Sequence, residues 1–536
     1  VSFVGYENFQ QEITIAANCT TQVNTELIPL TSKLKELVVT GTMKEVQKLQ
    51  SVTPVDVYTS AFIKRTSPTN VYDALYQVNG IFADCDNGVS NTTDLQINGL
   101  EGNYTLILID GVPAMNGLAG TYALTSLPVS MIDKIEILKG ASSTLYGSEA
   151  IAGVINIKTK NPATTPRLVA NVMLSSLLEA NADVTASFKL KKVSSLFSVS
   201  AANSNYRWDV DGDGFIDFPL VNRVNFFNKW SFARKDNKAA TIYARYLFED
   251  RLGGQMNMPA RSIGGDQYYS EWVRTYQWQA GFQYQLPTKE KVLLQGDYSE
   301  DRQTAYYGIN YYNGIQRTAF AQLTWNKKID AANELLMGAT YRFNQFNDNT
   351  GLSSDTVIGY KNPAHIAGVF MEDEISFASN HKLLVGARFD YSNRSGPVTT
   401  PRINYKWNTK NEKNVLRLGA GTAYRIPNLL NEGFGAMNGS RQIIVPETLK
   451  PETAISAFAD YTRIQEMPGG LLNIDANFFY TRFFNYIDPD YDTPGEIIYE
   501  NNTNGAVSTG FNLNADFTFN YPLKVGIGIT YVYAYQ

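Results

Sequence analysis

Phe511-Asn-Leu-Asn-Ala-Asp-Phe-Thr-Phe-Asn520 alternates without a break, Phe511, Leu513, Ala515, Phe517 and Phe519 against Asn512, Asn514, Asp516, Thr518 and Asn520. Successive side chains of a strand point to opposite faces, so this stretch reads as a β-strand with one apolar and one polar face. The pattern recurs at Leu472-Asn-Ile-Asp-Ala-Asn-Phe-Phe-Tyr480 and at Val525-Gly-Ile-Gly-Ile-Thr-Tyr531. A strand of a soluble sandwich alternates too, but three features favour a strand that crosses a membrane. The runs approach about ten residues, the length of a tilted membrane-crossing strand, where ordinary strands have about five or six. Their polar face is Asn, Asp, Gln and Thr, which suits a hydrated lumen. Aromatics gather at run ends, as at Tyr306-Tyr307, Tyr311-Tyr312 and Tyr531, Tyr533 and Tyr535, like the girdles at membrane interfaces.

About 17 such runs fit between Arg167 and Gln536. Outer-membrane barrels of bacteria have an even number of strands and no open edge. The chain stops at Gln536 within an alternating run, and Val1 is not an initiator Met. The expectation is therefore a large barrel lacking C-terminal strands, in a chain that also begins inside a longer protein.

Composition agrees. Of 536 residues 44% are hydrophobic and 12% aromatic, while 18% are charged, below the roughly 25% of ordinary globular domains. No stretch approaches about 18 consecutive apolar residues, which excludes crossing by helices. The apolar content and the absence of low-complexity tracts exclude a disordered chain. A net charge of −5 disfavours a nucleic-acid partner. Cys19 and Cys85 are too few for a disulfide framework, and His365 and His381 too few for a His-rich metal or haem site.

Before the barrel the pattern differs. Residues 1–33 hold short alternating runs that read as the end of a small β-sandwich and a linker. Residues 34–160 mix helix and strand in one compact α+β domain. Val71–Val78 reads as a helix, Thr105–Ile109 and Lys134–Leu138 as strands, and the continuous apolar run at Leu106–Ile109 as a strand buried on both faces. Residues 161–536 are the barrel.

Five segments of the second region carry a family resemblance: Leu37-Val-Val-Thr-Gly41, Leu95-Gln-Ile-Asn-Gly-Leu100, Leu108-Ile-Asp-Gly-Val-Pro113, Ile135-Glu-Ile-Leu-Lys-Gly140 and Ser143-Thr-Leu-Tyr-Gly-Ser-Glu-Ala-Ile-Ala-Gly-Val-Ile-Asn-Ile157. In this order they make residues 34–536 resemble the TonB-dependent outer-membrane receptors. The resemblance implies a 22-stranded barrel plugged by residues 34–160, in the outer membrane of a Gram-negative bacterium. Val1–Leu30, with Phe3-Val-Gly-Tyr6, resembles the end of a carboxypeptidase-regulatory-like domain. Gly99, Gly111, Gly140, Gly147 and Gly153 fall where a packed plug needs positive φ or close backbone approach. The resemblance also implies that Glu136, Lys139 and Glu149 pair with charges of the barrel wall.

Glu36-Leu-Val-Val-Thr-Gly41 resembles the TonB box, with Leu37, Val38, Val39 and Thr40 as its core. Such an extended segment can add as an edge strand to the sheet of a TonB-type energy-coupling protein of the inner membrane, which then pulls on it through main-chain hydrogen bonds. Neither G-x-x-x-x-G-K-[ST] nor a strand-linked G-x-G-x-x-G occurs, so energy has to come from such a partner.

Asp209-Val-Asp-Gly-Asp-Gly-Phe-Ile-Asp217 places carboxylates at relative positions 1, 3, 5 and 9 with Gly at 6, the first part of a calcium loop. Asp209, Asp211, Asp213 and Asp217, with the carbonyl of Phe215, are candidate ligands for calcium. Leu220 stands where an EF-hand has its bidentate Glu, so another ligand has to complete the shell. This loop, followed by Phe248-Glu-Asp-Arg-Leu-Gly-Gly254, resembles the cobalamin transporter branch of the family. There, calcium on two such loops orders the substrate-binding loops, which would add Glu249 and Asp250 as ligands.

The leading functional expectation is active import of a scarce small-molecule nutrient, cobalamin or a related corrinoid, with calcium as structural cofactor. The alternative is a ferric siderophore or haem receptor. Ala423-Tyr-Arg-Ile-Pro-Asn428 resembles a strand-to-loop motif also found in haem receptors, but the following loop, Leu429–Pro446, has no His. A third reading is a non-transporting surface or adhesion barrel, against which the plug and TonB-box resemblance argues. No Ser-His-Asp or Cys-His constellation is available, so an enzyme is not expected. Outer-membrane lipid and a surface lipoprotein complete the candidate partners, and no substrate-contacting residue is assigned.

Overall fold

The computed structural model describes residues 37–66, 68, 70–114, 118, 124–125, 127–349, 363–426, 441–444, 449–502, 504–521 and 523–535. The β-sandwich expected at residues 1–33, and Glu36, lie outside them.

The first body holds β1 (Leu37–Val38), β2 (Val46–Gln47), β3 (Asp56–Thr59), β4 (Ile81–Asn87), β5 (Thr92–Ile97), β6 (Thr105–Ile109), β7 (Val112–Pro113), β8 (Ile132–Lys139) and β9 (Gly153–Thr159). Its helices are α1 (Ser60–Thr66), α2 (Val71–Tyr76) and α3 (Ser143–Tyr146). α2 starts where Asn70 accepts a hydrogen bond from Asp73 N at 3.1 Å, a side-chain N-cap. A five-stranded sheet runs β3-β8-β9-β6-β7, with β6 and β9 parallel. Leu106, Leu108, Ile109, Ile135, Ile137, Val154, Ile155 and Ile157 are buried within it, as the continuous run predicts for β6, with Glu136 and Asn156 as buried polar exceptions. Gly147 takes φ +79°, and at Gly153 a Cβ would sit 2.3 Å from Leu138 O, so the close β8–β9 approach requires glycine there.

The second body is a 17-stranded antiparallel sheet. It begins with β10 (Leu168–Leu174), β11 (Ala180–Leu190), β12 (Val193–Ser204), β13 (Leu220–Phe232), β14 (Ala240–Gly254) and β15 (Ser270–Gln285). Next come β16 (Lys291–Tyr307), β17 (Asn310–Lys328), β18 (Asn333–Asp348), β19 (Ala364–Ala378), β20 (His381–Ser392), β21 (Gly396–Asn408) and β22 (Asn414–Arg425). β24 (Glu452–Met467), β25 (Gly470–Phe483), β28 (Val507–Phe519) and β29 (Lys524–Tyr535) complete it. Every strand pairs with its neighbour in sequence, save where β23 (Gln442–Ile444), β26 (Tyr486–Asp490) and β27 (Glu496–Asn502) leave to form a separate three-stranded sheet. β10 and β29 are the edges and have no further strand partner among the described residues. The longest connections, residues 205–219, 255–269, 349–363, 426–451 and 484–506, all leave one end of the barrel, the outer end; the opposite end has short turns. No helix of the described residues is long and apolar enough to cross a membrane.

Alternation sorts the two faces as the sequence predicts. Leu513, Phe511 and Phe478 are exposed on the outside, whereas Asn512 is buried inside and contacts Asn98 of the first body. The wall thus presents apolar side chains outward and polar ones to the enclosed body. Leu323 is an outward residue, sixth from the short-turn end of β17 and 43% exposed. Leu323→Arg is expected to lower stability in vesicles by about 2–4 kcal/mol, the penalty for a cation near mid-bilayer, and Leu323→Ala far less. Urea unfolding of vesicle-embedded protein measures this; equal effects would place Leu323 away from lipid.

Candidate functional site

The segment Leu37–Thr40 is folded against the plug. β1 pairs with β2, and Val38 and Thr40 are fully buried. One carboxylate oxygen of Glu136, on β8, accepts from Val39 N at 2.9 Å, Thr40 N at 2.9 Å and Thr40 Oγ1 at 2.6 Å. Its other oxygen meets Lys134 Nζ at 2.9 Å, and Lys134 also donates to Leu37 O. Tyr146 Oη donates to Thr40 O at 2.8 Å, and Asn156 Nδ2 to Thr40 Oγ1 at 3.0 Å. Burial alone would raise the Glu136 carboxyl, but Lys134 and the bonds from Thr40 and Val39 outweigh it and hold the group below its ordinary range. The segment is therefore latched by a buried anion, not by apolar packing alone.

The plug–wall seam combines polar contacts with apolar ones, such as Tyr104 against Phe483 and Leu49 against Val415 and Ile464. Arg342 donates to Tyr146 O at 2.5 Å, Arg388 to Leu145 O at 3.4 Å and Arg402 to Gly41 O at 3.2 Å. Arg417 donates to Ser51 O and Lys48 O at 3.0 and 3.2 Å. Three of these guanidiniums also hold a wall carboxylate: Arg388 with Asp390, Arg402 with Glu372 and Arg417 with Asp460. Across the lumen Lys229 binds Asp110 at 2.8 Å. Burial opposes ionisation of Asp110, yet Lys229 and Lys158 keep its carboxyl far below the usual range. Of the plug charges expected to reach the wall, Glu149 lies 3.9 Å from Arg342. Glu136 and Lys139 instead pair within the plug, with Lys134 and Asp56. The wall's arginines address mainly plug carbonyls, an acceptor set that sequence reading had no means to count.

A second junction lies towards the outer end. Glu452 is fully buried and accepts from Tyr104 Oη of the plug at 2.9 Å, Ile487 N of β26 at 2.9 Å and Arg425 Nε of β22 at 2.5 Å. Arg425 also sits 4.4 Å from the Tyr104 ring centroid. One carboxylate thereby joins plug, wall and the small outer sheet. Leu118, from the plug apex, packs in an apolar cluster with Tyr307, Tyr312, Phe346, Ile487, Ile497 and Tyr499. Beneath it, a cavity of about 100 Å³ lies between plug residues Pro113, Ala114, Ser148 and Glu149 and wall residues Asp301 and Arg342. A larger hollow, about 590 Å³, is lined by Leu323, Trp325, Met337, Val369 and Met371. These residues belong to the lipid-facing surface, so that hollow is no ligand chamber.

The acidic loop divides the proposed ligand set. Carboxylate oxygens of Asp209, Asp211 and Asp217 lie within 4.8 Å of one another. They also cap their own loop: Gly212 N and Gly214 N donate to Asp209 at 2.7 and 3.1 Å, and Val210 N to Asp217 at 2.5 Å. Asp213 stands outside the group and accepts from Phe215 N at 2.7 Å. Glu249 and Asp250 do not join it. Glu249 points inward, buried between Arg223 at 2.6 Å and Arg251 at 2.9 Å. Asp250 points outward, where Trp272 Nε1 donates at 2.6 Å and Arg274 pairs with it. Neighbours on a strand face opposite sides, so these two could not both serve one loop. What links the loops is one arginine and backbone: Arg207 Nη1 donates to Met256 O and Met258 O at 2.6 and 2.8 Å, and Met256 N donates to Gly214 O and Ile216 N to Gly254 O, each at 2.8 Å.

The latch gives a measurable expectation. In a Cys19→Ser/Cys85→Ser background, Val38→Cys should be protected from thiol reagents. Adding Glu136→Gln should speed labelling on the order of tenfold or more, the loss of at least one charge-assisted bond. Because the folded-state carboxyl is depressed, the latch is complete above its ordinary titration range and is lost as pH falls through the lower folded value. Relative to an unprotected thiol measured at the same pH, which cancels the falling thiolate fraction, labelling should accelerate there in the Val38→Cys protein and be pH-independent once Glu136→Gln is added; unchanged labelling in Glu136→Gln would remove Glu136 from the latch.

Comparison with known proteins follows this geometry. Residues 47–154 match the family model of the TonB-dependent receptor plug domain, and residues 188–536 that of the TonB-dependent receptor-like β-barrel. The iron-regulated outer membrane virulence protein of Vibrio cholerae is 27% identical over 412 residues, covering 72% of this chain. The chain spans 59% of that relative's length. The siderophore receptor PirA of Pseudomonas aeruginosa superposes with a TM-score of 0.71 at 19% identity, over 90% of this chain and 85% of that one. The ferric enterobactin receptor PfeA of Pseudomonas aeruginosa does so with 0.70 at 18% identity, over 89% and 80%. At these identities the structural likeness is one of fold.

Proposed function

The chain belongs to the TonB-dependent receptors of the outer membrane, and from that premise we propose that it imports a ferric siderophore, driven by a TonB-type protein that grips residues 37–40. The observation that carries the transport reading is the seam between plug and wall. Beside its apolar contacts it is rich in hydrogen bonds and ion pairs, which water can replace one by one, so much of the hold on the plug can be released by hydration. Glu136 latches the segment to be pulled, and its strand, β8, lies inside the plug sheet between β3 and β9, so traction on Leu37–Thr40 is applied to that sheet.

The siderophore class is supported by the relatives: PirA and PfeA are siderophore receptors and the Vibrio protein is iron-regulated. The corrinoid expectation rested on a two-loop calcium site, and Glu249 and Asp250 are engaged by arginines instead. Ferric enterobactin, cyanocobalamin and haem are the three probes that separate the readings, using receptor in outer-membrane vesicles for binding and whole cells for uptake. Ferric enterobactin should bind most tightly, and deletion of residues 37–40 should abolish uptake while leaving its affinity within about twofold, since that segment supplies traction rather than recognition. Tighter binding of cyanocobalamin or haem would reassign the cargo; equal loss of binding and uptake would make the segment structural.

The convergence of Asp209, Asp211 and Asp217 favours a second element of this reading, one calcium ion on the 205–219 loop with waters completing its shell. Affinity in the range of about 10⁻⁴–10⁻³ M is expected for such an exposed module. Trp208 and Tyr206, 4.7 Å apart, adjoin the loop and should sensitise terbium luminescence that calcium displaces. Asp211→Asn/Asp217→Asn should abolish the signal; an undiminished signal would make the loop a turn held by its own backbone bonds.

A further inference from the structure

The outer face of β14–β17 is almost free of charge. Its outward residues on β15 are Trp272, Arg274, Tyr276, Trp278, Ala280, Phe282 and Tyr284, and the three neighbouring strands are similarly apolar. Five charged residues interrupt this face in one band: Asp250, Arg274, Glu300, Arg302 and Arg317. The only other charge on the outer face of these strands is Lys327, at the short-turn end. Counted from that end of each strand, Arg274, Arg302 and Arg317 are all twelfth residues, Asp250 the eleventh and Glu300 the tenth. A tilted strand crosses the hydrocarbon in about 9–11 residues. The band therefore lies where the outer leaflet's headgroups begin, directly above Trp278 and Tyr298, whose rings are 5.1 Å apart.

The band is built and not balanced. Glu300 is shared: one oxygen takes Arg302 Nε and Nη2 at 2.9 and 2.7 Å, the other Arg317 Nε at 2.7 Å. Arg274 is held by Asp250 and stacks 4.8 Å from the Trp272 ring centroid. Three guanidiniums face two carboxylates, which leaves one positive charge. Glu300 is only 10% exposed, whereas Arg302, Arg317 and Arg274 are 63%, 40% and 38% exposed. Nη1 of Arg302 and both terminal nitrogens of Arg317 lie outside the bonds to Glu300. A cation left over at a lipid boundary is costly without an anion beside it, and a fixed pair of guanidiniums suits the oxygens of a phosphate.

We propose that Arg274, Arg302 and Arg317 form a docking site on the outer wall for the phosphate of an outer-leaflet lipid headgroup, with Trp278 and Tyr298 against the upper part of its acyl chains. This site is separate from the lumen and from import. Glu300 positions Arg302 and Arg317 but also competes with the phosphate.

The experiment is native mass spectrometry of the detergent-solubilised receptor titrated with diphosphoryl lipid A, with its dephosphorylated form and with inorganic phosphate. Diphosphoryl lipid A should bind wild type, and Arg302→Gln/Arg317→Gln should weaken it roughly 30-fold, about fivefold per cation at an anionic surface. Glu300→Gln should tighten it, a gain that misfolding cannot mimic. Equal binding of the dephosphorylated lipid, or competition by inorganic phosphate at the lipid's own concentration, would overturn the proposal. So would wild-type affinity in the double variant. If the double variant fails to assemble, as judged by heat-modifiable migration, Glu300→Gln decides: no gain in affinity overturns the site.

Discussion

Hydrocarbon offers a peptide group no hydrogen-bond partner, and this constraint shapes the whole chain. It forces the backbone from β10 to β29 into one continuous ladder, each strand bonded to its sequence neighbours. Once the ladder exists, side-chain alternation sends every second residue to lipid and every other one inward, so the inner wall becomes polar. A body placed within such a wall meets mostly polar groups. The plug therefore has its main apolar core in the sheet β3-β8-β9-β6-β7 and meets the wall through Lys229, Arg342, Arg388, Arg402 and Arg417, with apolar contacts such as that of Leu118 with Tyr307 and Phe346 beside them.

Glu136 and Glu452 are two buried carboxylates on each of which several elements meet. Each is fully buried, and each is tolerable there only because cations and N–H or O–H donors surround it. Glu136 ties the N-terminal segment to β8. Glu452 ties Tyr104, just before β6, to the wall and to β26. Between them run β8, β9 and β6, adjacent strands of one sheet, so the outer sheet and the segment Leu37–Thr40 are connected through one hydrogen-bonded element.

Much of this was legible in the sequence. The period-2 runs fixed the transmembrane character and the inward and outward series, because alternation depends on nothing beyond the strand itself. Thr105–Ile109 and the helix at Val71 were legible for the same local reason. The small outer sheet was not: β23, β26 and β27 are short, and β23 pairs parallel to β27 across more than fifty residues without any periodic signal. Nor were the partners of Glu249 and Asp250, since register decides which arginine stands beside a carboxylate. The alternation itself already separates those two residues, and a stricter use of it would have kept them from sharing a metal. The sharing of Glu452 among three bodies has no local signature at all.

The wall's arginines donate mainly to carbonyl oxygens of the plug, at Gly41, Lys48, Ser51, Leu145 and Tyr146. A carbonyl is the same acceptor whatever side chain its residue carries. At these points the fit between the two bodies is written on one side only, and the plug's side chains can drift over evolution without a matching change in the wall, provided its backbone path is kept. Where Tyr104, Asp110 and Asn98 meet Glu452, Lys229 and Asn512, both sides have to change together. A plug exchanged between distant members of the family would have to match this barrel in main-chain shape and at those few side chains.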